Sequence, residues 1–230
     1  MGRAPLRRLP GLPGLTLVAL PAALAAASAF LVAPAVGQTP VIAPTDHTLE
    51  ALNLALRRRM TVRARETGPS IYVAHCRNAR GGCLRRVATF SHIISGAARR
   101  QRIDPFLLAA VAVRESGLDP TATGAAGERG LIQLHPRGAA GRSVRFVRSE
   151  TFRQGCARSD DACQQEVIEA GAHLLSRSIE RCGGVPEGLG AYNRGVCGPT
   201  DYSRRVLRER QRLLRLAKGD ARTVRELEAR

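Results

Sequence analysis

With 230 residues and 44% apolar side chains, the chain is long enough for one domain with its own core beside a targeting segment. Aromatic residues make up only 3% and tryptophan is absent, so Leu, Val, Ile and Ala must fill that core. The formal charge of +17, carried by arginine with Lys218 as the single lysine, points to anionic partners. No basic patch interleaved with aromatics, helix-turn-helix, zinc-finger or RNA-binding signature occurs, which argues against specific nucleic-acid binding.

Arg3, Arg7 and Arg8 precede a stretch, 15–36, that carries no charge and closes on small residues, Ala33, Ala35 and Gly37. This is the pattern of a secretory signal cleaved near Ala35 or Gly37, so 1–37 is expected to direct export to the periplasm or cell envelope. The stretch is also long enough for a retained anchor, the one case in which membrane contact is expected. Pro21 and Pro34 interrupt it and favour cleavage.

Residues 38–82 read as an N-terminal extension. Its start is rich in proline, and 48–65 has Leu49, Leu52, Leu56 and Met60 at the spacing of a basic amphipathic helix. Six cysteines, Cys76, Cys83, Cys156, Cys163, Cys182 and Cys197, suit disulfides in an oxidising compartment. Six cysteines admit fifteen pairings. The repeated short spacing favours Cys76–Cys83 and Cys156–Cys163, with Cys182–Cys197 closing a third loop. No C-x-x-C occurs and the histidines lack zinc-finger spacing, so neither a metal nor another cofactor is expected.

From 87 to 102, Val87, Phe90, Ile94, Ala97 and Ala98 recur at helical spacing. Asp104 and Pro105 then supply an N-cap and a first-turn proline. The helix they open, 105–116, is apolar on every face until Arg114 and must be buried. That places Glu115 at the inner end of a core helix. Small residues make 121–129 a loop, 131–134 is a short apolar run, and 138–153 stays ambiguous. Asp160 or Asp161 opens a helix through Arg181, which Gly183 and Gly184 stop. A short helix follows at 186–193. Thr200 or Asp201 opens the last one, 202–218, and a polar tail ends the chain at 218–230. No stretch alternates convincingly enough for a strand.

A lone glutamate at a helix end is ordinarily a surface residue. In an apolar setting it differs, because burial penalises the charged form and keeps the carboxyl protonated. A protonated carboxyl is what acid-catalysed cleavage of a glycosidic bond needs.

Glu115-Ser116, Pro120, Gly127, Gly130-Leu131-Ile132-Gln133-Leu134, Pro136, Ala191-Tyr192-Asn193 and Tyr202 form an ordered set. Over 83–217 this set resembles the soluble lytic transglycosylase domain. The resemblance implies a mostly α, lysozyme-like helical domain with a substrate groove, here tied by disulfides. It implies glycan strands of peptidoglycan as substrate. The bond cut is the β-1,4 link from N-acetylmuramic acid to N-acetylglucosamine, and the product is a 1,6-anhydromuramyl end. By the same resemblance Glu115 is the catalytic acid and then base. Ser116 and Gln133 belong to the substrate-binding set. Tyr192 orients the carboxyl or the acetamido group, Asn193 supports that corner, and Tyr202 lines the groove wall. Small members often serve a secretion or conjugation apparatus, an association these residues do not themselves encode. A monomer is expected.

The chain departs from the family pattern at Gly124, where serine is usual, and at Ile132 and His135, where methionine is common. A hydrolase would need a second carboxylate near Glu115. Asp119, before Pro120, reads as a turn residue and Glu128 as a solvated loop residue, which favours the single-carboxylate reaction. The alternatives are a lysozyme-like muramidase and a wall-binding protein with an eroded site.

Overall fold

A computed structural model describes residues 46–63, 68–156 and 163–218, all within one compact unit, Gln38–Arg230. The expected signal or anchor, the tail beyond Lys218 and the capping candidates Asp160 and Asp161 lie outside the described residues. Among the described residues, no helix is long and apolar enough to cross a membrane.

The structure is mostly helical. Helix α1 (Asp46–Arg59) leads into a small antiparallel pair, β1 (Thr61–Arg63) and β2 (Ser70–Tyr72), with Val62 opposite Ile71. These strands correct the reading of 48–65 as one continuous helix and of the chain as strand-free. Three residues are too few for alternation to register, yet Val62, Ile71 and Tyr72 are all good strand formers. A short turn of helix, α2 (Ala74–Arg77), then precedes α3 (Gly82–Gln101).

Helix α4 (Pro105–Ser116) begins as its sequence dictates. Asp104 caps it, its carboxylate accepting the Phe106 N–H at 2.9 Å, and Pro105 fills the first turn. Every residue from Pro105 to Val113 is buried. The ambiguous stretch at 138–153 resolves into a 3-10 turn (Gly141–Ser143) and two short helices, α5 (Arg145–Arg148) and α6 (Glu150–Cys156). Val144, Phe146 and Val147 pack inward from it. Helices α7 (Gln165–Cys182), α8 (Val185–Arg194) and α9 (Asp201–Ala217) complete the fold. A capping box between Thr200 and Ser203 starts α9.

Helix α4 packs against α3 and α9, and α7 against α3 and α8. Helix α1 packs on α3 and α9 as well, and its Leu52, Ala55 and Leu56 are fully buried in the same core as Phe90, Leu108 and Val206. Residues before 83 therefore share this core, although the resemblance begins only there. All three local disulfides form: Cys76–Cys83, Cys156–Cys163 and Cys182–Cys197.

Helix α9 is the brace that positions α4. The partly buried ion pair of Asp104 with Arg210 joins the start of α4 to the middle of α9. Tyr202, at the start of α9, meets Glu115 at the end of α4. The two helices thus run antiparallel, with α4 tied to α9 at both of its ends. Arg59 bonds Glu209 at 2.7 Å and secures α1 to the same brace.

Candidate active site

Glu115 stands one residue before the end of α4, partly buried, with Gly117 as the C-cap. Burial, the largest influence, raises its pKa above the ordinary carboxylate value of 4.5. The Tyr202 hydrogen bond opposes that, Glu128's like charge adds to it, and Arg114 opposes it. The negative end of the α4 dipole also disfavours a carboxylate here. Tyr202 donates its hydroxyl to Glu115 Oε1 at 2.5 Å. Burial drives the Tyr192 and Tyr202 phenols well above their usual range, so both remain protonated donors at neutral pH.

The two tyrosines stack, with ring centroids 6.4 Å apart and planes 17° from parallel. Their contacts differ from the sequence expectation. Tyr202, expected on a wall, is the one that holds the carboxyl. Tyr192, expected to orient the carboxyl or the acetamido group, donates to the Ile132 carbonyl at 3.1 Å and not to the carboxyl. The reason lies in helix placement: α9 lies along α4, whereas the phenol of α8 reaches the turn at 130–134.

That turn is pinned from three sides. Ser116 Oγ is 2.8 Å from the Leu131 carbonyl and 3.1 Å from that of Ala112, so the residue after Glu115 carries the turn against α4. Gln164, fully buried just before α7, accepts the Leu131 N–H at 2.9 Å. Gly130 has φ +77°, and a Cβ there would stand 2.8 Å from Gln164 Oε1. Glycine is required both for the backbone and for the close approach. Tyr192 holds the third side.

Gln133 has φ +49°, a left-handed conformation that costs a non-glycine residue roughly 1–2 kcal/mol. Its Nε2 donates to the Ala122 carbonyl at 3.1 Å and the Gly130 carbonyl at 2.9 Å. Both partners are carbonyls, which fixes the amide orientation and turns Oε1 the other way, toward Gly124.

Glu128 is not the solvated loop residue expected from sequence. It is half-buried, its Oε2 accepts the Ala126 N–H at 3.0 Å, and its charge is felt at Glu115. Asp119 takes the turn role foreseen for it, accepting from the Thr121 N–H at 2.9 Å and its hydroxyl at 2.7 Å. Asn193 is exposed near the end of α8, and no hydrogen bond joins its side chain to the other site residues. Glu115, Ser116, Gln133, Tyr192 and Tyr202 are thus linked directly or through the 130–134 turn, and Asn193 is not.

Sequence reasoning missed Gln164. An isolated amide in a polar stretch carries no periodic signal; its burial is what marks it.

Comparison with known proteins adds the family. No solved structure matches the chain significantly. Residues 92–211, more than half of the chain, match the family described as the transglycosylase SLT domain. This segment runs from α3 through most of α9 and includes Glu115, the 130–134 turn and both stacked tyrosines. The chain belongs to the transglycosylase SLT domain family, a lysozyme-like family of the lytic transglycosylase type that cleaves peptidoglycan.

Proposed function

We propose that this chain is an exported lytic transglycosylase that uses Glu115 as the one acid and base of its reaction. The observation that carries this reading is the setting of Glu115: a carboxyl whose burial favours the protonated form and which is oriented by a phenol that stays a donor.

The chemistry follows from that state. Protonated Glu115 gives its proton to the glycosidic oxygen between N-acetylmuramic acid and N-acetylglucosamine. The C1–O bond breaks and positive charge gathers at C1. Glu115, now a carboxylate, receives the Tyr202 hydrogen bond at full strength, since bonds to charged acceptors are the stronger ones. It then takes the proton of the muramyl C6 hydroxyl as that oxygen bonds to C1. The products are a free 4-hydroxyl and a 1,6-anhydro ring, and Glu115 ends protonated for the next cycle. The substrate acetamido group steadies C1 in this scheme, as the family likeness suggests.

Gln133 and the backbone of the pinned turn offer groups to the sugar, and the strained Gln133 backbone supports a functional rather than a structural role. Three disulfides suit an exported protein, and the expected signal at 1–37 suits delivery to the periplasm or cell envelope. Glycan strands of peptidoglycan are the partner. A place beside a secretion or conjugation apparatus, opening the wall locally, is compatible with a single small domain.

The test is turnover of purified sacculi by the wild-type chain and by Glu115→Gln. Loss of the general acid should slow release of soluble fragments by at least about 100-fold. A Glu115→Gln variant as active as wild type would remove the basis of this assignment. A wild type that binds sacculi without cutting them would instead support the eroded, wall-binding alternative.

A further inference from the structure

Beside the 130–134 turn lies a cavity of about 310 Å³, enclosed by the chain at 120–123, by Arg129 and by the short helices α5 and α6. It shares a wall with Gln133. Ala122, which lines the cavity, is the residue whose carbonyl accepts Gln133 Nε2 at 3.1 Å. Arg129 is fixed to the same turn through its backbone: its N–H donates to the Leu134 carbonyl and its carbonyl accepts the Leu134 N–H, both at 3.1 Å. Thr123 pairs with Arg129 as an antiparallel bridge. The wall of the cavity and the turn that carries Gln133 are therefore one folded unit.

Two arginines line this cavity, and they differ in what they hold. Arg153 is committed. Its Nη1 donates to the Phe146 and Val147 carbonyls, each at 2.9 Å, and its Nη2 pairs with Glu150. Arg129 is not. Among the described residues its side chain makes no hydrogen bond or ion pair, and Nη1 is closed off from solvent without a partner. An enclosed charged donor without a partner is costly, and an incoming acceptor relieves that cost. Glu150 is the carboxylate that lines the cavity, and it is already bound to Arg153. The lining thus keeps an excess of positive charge, with Phe146 adding an apolar surface and Thr123 a hydroxyl.

We infer that this cavity is a carboxylate-binding pocket for the peptide stem of the glycan strand, with Arg129 pairing the stem carboxylate. The inference rests on peptidoglycan being the substrate, as proposed above. Of the two sugars at the bond to be cut, N-acetylmuramic acid alone bears a lactyl ether, and the peptide attached there carries free carboxylates. A planar guanidinium suits such a group, which it can bind through two parallel hydrogen bonds. The volume lies at the small end of ligand pockets, with room for a short peptide segment and not for a glycan strand. Because the cavity backs onto the turn of Gln133, a strand held at Gln133 can place its stem there and be read as stem-bearing or bare.

The experiment compares two soluble substrates of the full chain: glycan strands that carry their stems, and the same strands stripped of them by an amidase. The readout is the ratio of kcat/KM for stem-bearing over bare strands, which should exceed one in wild type. Arg129→Gln should lower that ratio at least about tenfold, the range of a lost hydrogen bond to a charged group. Arg129→Lys, which keeps the charge and loses the fork, should recover part of it. Glu150→Gln removes a carboxylate that repels an incoming one and should raise the ratio; its side chain is 67% exposed, so the fold tolerates the change. Thermal unfolding of each form confirms that it is folded. Calorimetry with N-acetylmuramyl-L-alanyl-D-glutamate supplies a readout that needs no turnover. Wild type should bind this probe at least about tenfold more tightly than Arg129→Gln does, and more tightly than it binds the probe with both carboxyls amidated. Equal losses on both substrates in Arg129→Gln would assign Arg129 to holding the turn and overturn the inference, while the reading of Glu115 stands. Displacement of the probe by an equal concentration of inorganic phosphate would overturn it in favour of a general anion site. Full turnover by Glu115→Gln would instead overturn the reading of Glu115, and probe binding that depends on Arg129 would still support the pocket.

Discussion

Tyr202 reaches across from the first turn of α9 and donates its hydroxyl to Glu115 Oε1 at 2.5 Å. The contact does two things at once. It fixes the direction of the carboxyl, and it partly counteracts the burial that raises the Glu115 pKa. Because Asp104 at the opposite end of α4 is tied to Arg210 in the middle of α9, the distance is set by the brace of α9 along α4 and not by a loop.

Tyr202→Phe should therefore lower kcat on sacculi by roughly tenfold, the range expected for a lost hydrogen bond to a charged group. Its pH profile carries the sharper signature. Removing a donor that favours the carboxylate raises the Glu115 pKa further, so the alkaline limb should move to higher pH. A limb unchanged in Tyr202→Phe would mean that the phenol does not act on Glu115.

Glu115 should also weaken the protein it serves. Its folded-state pKa is raised above the ordinary value of 4.5, so the native state binds more protons than the unfolded state in between. Stability is then highest below the ordinary value and falls as pH rises through the raised one. Glu115→Gln has no charge to lose and should escape that decline. Denaturant unfolding should show Glu115→Gln more stable than wild type at neutral pH, with the gap narrowing as pH drops through the Glu115 transition. A constant difference at all pH values would contradict the raised pKa.

The helical scaffold was legible because apolar periodicity survives in every long helix, and Asp104-Pro105 announces the start of α4. The candidate site was legible through the spacing of Glu115, the 130–134 turn, Tyr192 and Tyr202. Contacts that depend on how helices lie together were not. Which tyrosine reaches Glu115 follows from the packing of α9 on α4, and no spacing encodes it. The half-buried Glu128 side chain takes the room that a side chain at Gly124 would fill, so its place becomes visible only once the loop is closed. Strands β1 and β2 are too short to leave a pattern.

Gln164 should prove to be a hidden support of the site. Replacing it with alanine leaves the Leu131 N–H buried without its acceptor, a loss of about 1–3 kcal/mol. The same change loosens the turn that carries Gln133. Denaturant unfolding should report the first effect and a lower kcat/KM the second. Wild-type values for both would show that the turn is held by Ser116 and Tyr192 alone.

The Cys182–Cys197 bridge, with a sequence separation of 15, encloses α8 and its Tyr192. Converting both cysteines to serine should lower stability by about 2–3 kcal/mol, mainly through the freer unfolded chain. The loss should be the same at all pH values across the activity range, which separates it from the Glu115 effect.

The most direct test of the account is mass spectrometry of the fragments that wild type releases from purified sacculi. A single acid and base at Glu115, with ring closure by the muramyl C6 oxygen, predicts 1,6-anhydromuramyl ends, lighter by one water than hydrolysed ends. Reducing muramyl ends in their place would contradict it, and would mark the protein as a hydrolase in which water, and not the substrate's own hydroxyl, attacks C1.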